Sequence, residues 1–276
     1  MDQESIQAGK QQPWALITGA SSGIGAEFCR QLAAKGYQLV LVARRADRLQ
    51  AVADEVKTAH GTNSLIITAD LSQSDSCQAV VNCLEEENID IEMLVNNAGY
   101  GLPGSFHVPD WRQHADLIQV MVTAVCELTW RLLPGMRERG QGYIINVASV
   151  AALIPPSSGH TLYAASKSFL IKFSETLALE NADNGVKVTA VCPGFTYTEF
   201  HDVNNTRALV SKLPSYLWLD AEFVVSDTLK TIFAEKVKSS VVPGRLFKAL
   251  IWVNRYLPWL GRPFINRNAR KYRITE

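Results

Sequence analysis

Six short apolar runs recur along the chain, each followed by a longer amphipathic stretch. That alternation constrains the fold more than any other feature. The runs are "WALIT" (14–18), "QLVLVA" (38–43), "SLIITA" (64–69), "EMLVN" (92–96), "YIINV" (143–147) and "KVTAVC" (187–192). They are β-branched, nearly continuous in apolar character and bounded by Gly, Asp or Asn, which is how strands buried on both faces read. Helical patterns fill the intervals at about 26–35, 46–59, 74–87, 110–137 and 161–182. A β-α-β-α order requires parallel strands, right-handed crossovers and helices on both faces of the sheet. The expected fold is therefore α/β, a doubly wound parallel sheet of Rossmann type. A helix near 220–235 and a short strand, "SSVVP" (239–243), would close it.

No internal repeat or low-complexity linker interrupts the pattern, so 276 residues are read as one domain. Its expected parts are a polar leader (1–12), a nucleotide-binding and catalytic body (13–243) and a basic amphipathic extension (244–276). Within the body, about 195–219 is rich in turn residues and bulky apolar ones, the composition of a flap. The formal net charge is zero, so nothing global points to nucleic acid. The balance hides an asymmetry: residues 236–276 carry +9 and the rest of the chain −9. Five scattered cysteines without a C-x-x-C pair read as reduced thiols of a cytoplasmic protein, and the five histidines form no metal-ligand pattern. His114 and His160 are expected as surface or capping residues. There is no uninterrupted apolar run of about 18 residues, the length a spanning helix needs.

The segment "TGASSGIG" (18–25) follows the first apolar run directly and opens the first helix. Glycines there let the backbone turn tightly and approach a pyrophosphate, while the helix N-terminus offers free N–H groups and a favourable dipole. A tight turn needing Gly only for packing would look similar in isolation, but the place at a β–α junction favours dinucleotide binding. The contributing residues would be Gly19, Ser21, Ser22, Gly23, Ile24 and Gly25.

The spacing G-x-x-x-G-x-G resembles that of the short-chain dehydrogenase/reductase superfamily. Further pieces stand in the same order: "ADL" (69–71), "NNAG" (96–99), Ser149, Tyr163-x-x-x-Lys167 and "PG" (193–194). The resemblance covers roughly 13–243. It implies that Asp70 and Leu71 touch the adenine, and that Asn97, Ala98 and Gly99 line the inner edge of the cofactor. Pro193, Gly194, Thr196 and Thr198 resemble the segment that meets the carboxamide and pyrophosphate, although both threonines could instead cap a flap helix. The second strand ends in Ala43-Arg44-Arg45, where relatives that bind NAD usually carry an acid. A guanidinium can hold a 2′-phosphate that a carboxylate would repel, so NADP(H) is expected over NAD(H). The plainer alternative is that both arginines only solvate the next helix.

Tyr163 and Lys167, four residues apart, share one helical face. A free phenol has a pKa of about 10, too high for a base at neutral pH. A neighbouring ammonium and the positive charge of oxidised nicotinamide should both lower it. Tyr163 is thus the expected acid/base, Lys167 its tuner and, by resemblance, an anchor for the nicotinamide ribose. Ser149 is the expected donor to the substrate oxygen. One departure stands out. The family usually carries an asparagine in the long fourth helix, whereas here none lies between Asn97 and Asn146 and the position aligns with Met121. Either the relay runs through a backbone carbonyl and water, which the intact Ser, Tyr and Lys favour, or proton exchange is slower, or activity is impaired.

The aromatic flap predicts a small lipophilic carbonyl or alcohol as substrate, with interconversion of a hydrophobic ketone and alcohol as the reaction. A 3-oxoacyl-thioester reductase and an NADP(H)-binding sensor with little turnover are the rival readings. In the extension, Leu246, Leu250, Val253 and Leu257 repeat at helical spacing, with Arg245, Lys248 and Arg255 largely away from them. Such a helix suits peripheral membrane contact, a subunit interface or a cap on its own pocket. Resemblance also implies a homodimer or homotetramer paired through the fourth and fifth helices.

Overall fold

A computed structural model of the chain describes residues 12–257 apart from 103, 157, 158, 201–203, 205–210 and 212. The expected leader up to residue 11, most of the distal flap and the extension beyond 257 lie outside the described residues. Seven parallel strands form the main sheet: β1 (Trp14–Thr18), β2 (Gln38–Ala43), β3 (Ser64–Thr68), β4 (Ile91–Asn96), β5 (Gly142–Val147), β6 (Val186–Val191) and β9 (Ser240–Val241). Their spatial order is β3-β2-β1-β4-β5-β6-β9. The order reverses beside β1, so a crevice opens between the carboxyl ends of β1 and β4, where this architecture binds ligands. A small parallel pair, β7 (Phe195–Thr196) with β8 (Trp218–Leu219), stands apart as the base of the flap.

The helices are α1 (Gly23–Ala33), α2 (Ala46–His60), α3 (Ser76–Glu86), α4 (Trp111–Ile118), α5 (Ala124–Glu138), α6 (Thr161–Glu180), α7 (Ala221–Ile232) and α8 (Arg245–Tyr256). One apolar cluster on one face of the sheet joins Phe28 and Leu32 of α1 to Leu49 of α2 and Val224 of α7. The other face joins Val80 of α3 to Leu117, Met121 and Leu128 of the long helical stretch. Burying each such large side chain contributes about 1.5–3 kcal/mol. The two-sided burial explains why the strands read as continuous apolar runs instead of alternating ones. The stretch Trp111–Glu138 is long and apolar enough to match a membrane span, with mean hydropathy 1.3. Its residues Leu117, Met121, Leu128 and Met136 are sealed in the core, so it is a core helix.

Three boundaries differ from the sequence reading. Helix α1 begins at Gly23 instead of near 26, because the last two glycines of the loop already form its first turn. The long helix is not uniform: Gln119–Thr123 form a π turn between α4 and α5. In α8, Phe247 is the buried residue (5% exposed), while Leu246 and Leu250 stand at 38% and 39%. Leu246 and Leu250 of the amphipathic stripe thus remain partly exposed. Phe247 docks over Gly194, where a Cβ would lie only 2.1 Å from its ring, and this anchor decides which face turns inward.

Candidate active site

The glycine loop is shaped by backbone demands that side chains cannot meet. Gly19 has φ +66°, and a Cβ on Gly25 would lie 2.2 Å from the Gly19 carbonyl oxygen. Ser22, the residue before α1, makes no capping bond with its side chain. The first N–H groups of the helix therefore have no capping side chain, the condition an anion at a helix N-terminus requires. The loop fits a dinucleotide phosphate.

Opposite it, the carboxyl end of β4 braces the loop. Asn97 Nδ2 donates to the carbonyl oxygens of Thr18 (2.9 Å) and Gly19 (3.2 Å). The backbone N–H groups of Asn97 and Ala98 both donate to Thr18 Oγ1 at 3.0 Å. The side chain of Asn97 is spent on holding the loop. Gly99 lies deeper: a Cβ there would stand 3.5 Å from Lys167 Nζ and 3.6 Å from the Met121 side chain. Asp70 Oδ1 accepts from the Ser72 N–H and its carbonyl from Ser76 Oγ, so it shapes the turn after β3. Leu71 is buried with Val40 and Val42. Burial pushes the Tyr100 phenol up to about 12, helped by Asp116 and Asp70 and opposed by Arg44.

The acid–base group comes from β5 and α6. Lys167 is 4% exposed and its Nζ donates to the Val147 carbonyl at 2.7 Å. Burial lowers its pKa to about 8, with the Cys192 thiol pulling the other way. Its Nζ stands 5.7 Å from the Tyr163 ring centroid. Ser149 precedes a 3-10 turn and its Oγ accepts from the Ala151 N–H at 3.1 Å. That bond occupies an acceptor lone pair and leaves the hydroxyl proton for donation, the role expected of it.

In the free chain burial raises the Tyr163 phenol pKa and the Ser149 hydroxyl opposes it, so the phenol is protonated at neutral pH, as an ordinary phenol is. A bound oxidised nicotinamide would add a positive charge that lowers it.

A buried polar chain that the sequence reading missed holds this machinery in register. Asn96 Nδ2 donates to Asn146 Oδ1 (2.9 Å), and Asn146 Nδ2 donates to Ser174 Oγ (2.8 Å). It ties β4 and β5, in which Asn96 and Asn146 are register partners, to the helix that carries Tyr163 and Lys167. The available signal was an asparagine ending one apolar run and another near the end of the next. Met121 sits in the π turn itself and is fully buried. Its thioether side chain packs where the family asparagine aligns and offers no proton-carrying group. His114 also departs from expectation: it is 5% exposed, with Nε2 2.8 Å from the Phe106 carbonyl and Nδ1 without a partner.

The flap starts at Gly194 and crosses the loop. Thr196 Oγ1 donates to the Gly194 carbonyl, and Thr198 Oγ1 accepts from the Phe200 N–H, a local turn bond of the kind foreseen for it. The Phe200 ring lies 5.7 Å from that of Tyr163. An open cavity of about 560 Å³ lies beside the glycine loop, touching Ser21, Ser22, Arg48 and Glu199 but not Tyr163. A small one of about 20 Å³ reaches Tyr163 through Leu102, Phe106 and His160. We assign the chemistry to Tyr163 and not to the larger cavity, since proton transfer needs the phenol.

Comparison with known proteins agrees with this geometry. A family model described as short chain dehydrogenase matches residues 13–208. The chain belongs to the short-chain dehydrogenase family. It is 34% identical to a very-long-chain 3-oxoacyl-CoA reductase of Anas platyrhynchos over 69% of its own length and 62% of that protein. The chain thus spans about three fifths of that relative. It is 31% identical to the 17-beta-hydroxysteroid dehydrogenase type 3 of Mus musculus over 92% of its length and 85% of the relative. Among solved structures, a short-chain dehydrogenase from Sphingobium yanoikuyae in complex with NADPH superposes with TM-score 0.77 at 31% identity, covering 90% and 95% of the two chains.

The chain has the fold and the motif residues of that family. A nicotinamide cofactor, when bound, would supply or accept a hydride. The arrangement could then serve one substrate oxygen: the Tyr163 phenol could give it a proton, the Ser149 hydroxyl could donate to it as charge builds, and the Lys167 ammonium would stand nearby.

Proposed function

We propose that this chain is an NADP(H)-preferring oxidoreductase of lipophilic carbonyls and alcohols. One observation carries the reading: the Phe200 ring of the flap stands 5.7 Å from that of Tyr163. An aromatic neighbour at the acid–base group suits an apolar substrate. The cofactor preference rests on the end of β2, where Ala43 stands in place of an acid and Arg45 Nη2 donates to Ser21 (3.2 Å) and Ser22 (3.0 Å). We assign the adenine side to Asp70 and Leu71 and the carboxamide side to Pro193, Gly194, Thr196 and Thr198. The test is NADPH consumption against ketones graded by chain length, with Tyr163→Phe as blank. Turnover that rises with length and vanishes in the variant supports the reading. Arg44→Ala should weaken NADPH far more than NADH, and equal weakening would defeat the cofactor preference.

A second reading, a 3-oxoacyl-thioester reductase, is favoured by the name of the reductase relative; 3-oxoacyl-CoA substrates belong in the same panel. For assembly, we infer pairing through α5 and α6, whose outer faces expose Trp130 (70%) and Leu179 (79%). The outer face of α8, with Leu246, Leu250 and Trp252 beside Lys248 and Arg255, suits contact with an anionic lipid surface. A cytoplasmic location with peripheral attachment is consistent with that surface.

A further inference from the structure

Where the 2′-phosphate of NADP(H) is expected, the chain already holds an anion of its own. Arg45, just before α2, points Nη2 at the Ser21 and Ser22 hydroxyls and Nη1 at Glu199 Oε2, 3.2 Å away. Arg48, in the first turn of α2, donates to the other oxygen, Glu199 Oε1. Two guanidinium groups thus clamp one carboxylate, and Ser21, Ser22, Arg48 and Glu199 line a single open cavity. The pairing is felt by the carboxylate: Arg48 first, then Arg45, holds Glu199 below the usual carboxylate range.

Glu199 belongs to the flap. Two residues earlier the flap is fixed to β8 by the Tyr197 N–H bond to the Leu219 carbonyl (3.0 Å). Thr198 lies on the glycine loop, with its Cβ 3.0 Å from where a Gly23 Cβ would be. Phe200, on the other side, meets the ring of Tyr163. The carboxylate therefore sits on a short segment that reaches from the phosphate loop to the acid–base tyrosine.

We propose that Glu199 is an internal stand-in for the 2′-phosphate: it latches the flap to Arg45 and Arg48 in the free protein and is displaced when a 2′-phosphate takes both arginines. The proposal rests on the NADP(H) reading above and adds Arg48 to the residues that determine it. It follows from charge and valence. Both arginines are directed at one anion, and a phosphate dianion with three acceptor oxygens outcompetes a monoanionic carboxylate for the same fork. A cofactor without the 2′-phosphate brings nothing to displace the latch, so discrimination is sharpened by the flap itself. The pairs are well exposed, with side chains 39–47% accessible, so the latch is weak enough to open.

Titration calorimetry with adenosine 2′,5′-bisphosphate and with 5′-AMP tests this on the wild-type chain, Glu199→Gln and Arg48→Met. If the latch competes, Glu199→Gln binds the bisphosphate about fivefold tighter, the reach of an exposed ion-pair network, with 5′-AMP unchanged. Arg48→Met then binds the bisphosphate more weakly, again without effect on 5′-AMP. Amide hydrogen exchange at 197–200 should quicken both in ligand-free Glu199→Gln and in the wild type on adding the bisphosphate. The proposal is overturned if the wild type prefers the bisphosphate but Glu199→Gln leaves its affinity unchanged or weakens it. If neither wild type nor Glu199→Gln prefers the bisphosphate to 5′-AMP, the NADP(H) reading itself fails and takes the latch with it.

Discussion

The two sides of the glycine loop are held in opposite ways. On the β4 side, Thr18 and Asn97 exchange bonds that fix the loop through backbone atoms at 2.9–3.2 Å. On the flap side the tie to α2 is made by two exposed arginines and one carboxylate. Part-buried bonds to backbone groups lose free energy when broken, because the freed groups stay dry. Exposed ion pairs lose little, because water replaces the partner. The comparison teaches where this chain is preorganised and where it is built to yield. The glycine loop is rigid on the β4 side, and the segment at 197–200 is lightly pinned.

The largest expected effect lies at the chemistry both sides serve. Tyr163→Phe should lower kcat by about 10²–10⁴-fold, the usual scale for removing a general acid, with cofactor binding retained in a fluorescence titration. Next comes the rigid side. Gly25→Ala would drive a Cβ into the Gly19 carbonyl, and Asn97→Ala would strip the Thr18 and Gly19 carbonyls of their side-chain donor. Each should cost about 1–3 kcal/mol of unfolding free energy in urea titrations together with dinucleotide affinity. If either variant keeps full stability, the contrast between the two sides is broken.

Lys167→Met should sharpen it from within the site. A buried ammonium is costly, so the variant should lose activity while melting about 2–4 °C higher at pH 7, the shift that about 1 kcal/mol produces in a domain of this size. The sign follows from the depressed pKa. Between about 8 and the ordinary 10.5 the folded chain binds fewer protons than the unfolded one, so the wild type gains stability as pH rises through that window. The advantage of Lys167→Met should therefore shrink between pH 8 and 10.5. An advantage that does not change with pH would mean that the ammonium carries no burial penalty. The smallest effect belongs to the flap side: Glu199→Gln should move the unfolding free energy by no more than about 0.5 kcal/mol.

How much of the site was legible varies with the kind of interaction. Tyr163, Lys167, Ser149 and the loop glycines could be read because short-range spacing and forbidden backbone shapes leave marks in local sequence. The structure brings all of them to the carboxyl ends of β1, β4 and β5. The chain Asn96–Asn146–Ser174 was not read, because its members lie far apart and each is unremarkable alone. Glu199 and Arg48 were missed for the same reason, being 151 residues apart. Phe247 was not singled out, because periodicity gives a helix its stripe but not the direction in which the stripe faces.

The amino-acid sequence by itself determined the parallel sheet, the places of its strands to within about two residues and the glycine turn that opens α1. Each of these follows from local stereochemistry or from periodic burial, which a linear pattern records. Only the tertiary structure decided the depressed pKa of Lys167, the inward face of α8 and the pairing of Glu199 with two arginines. Those depend on desolvation and on charges brought together from distant segments, and neither exists until the chain has folded.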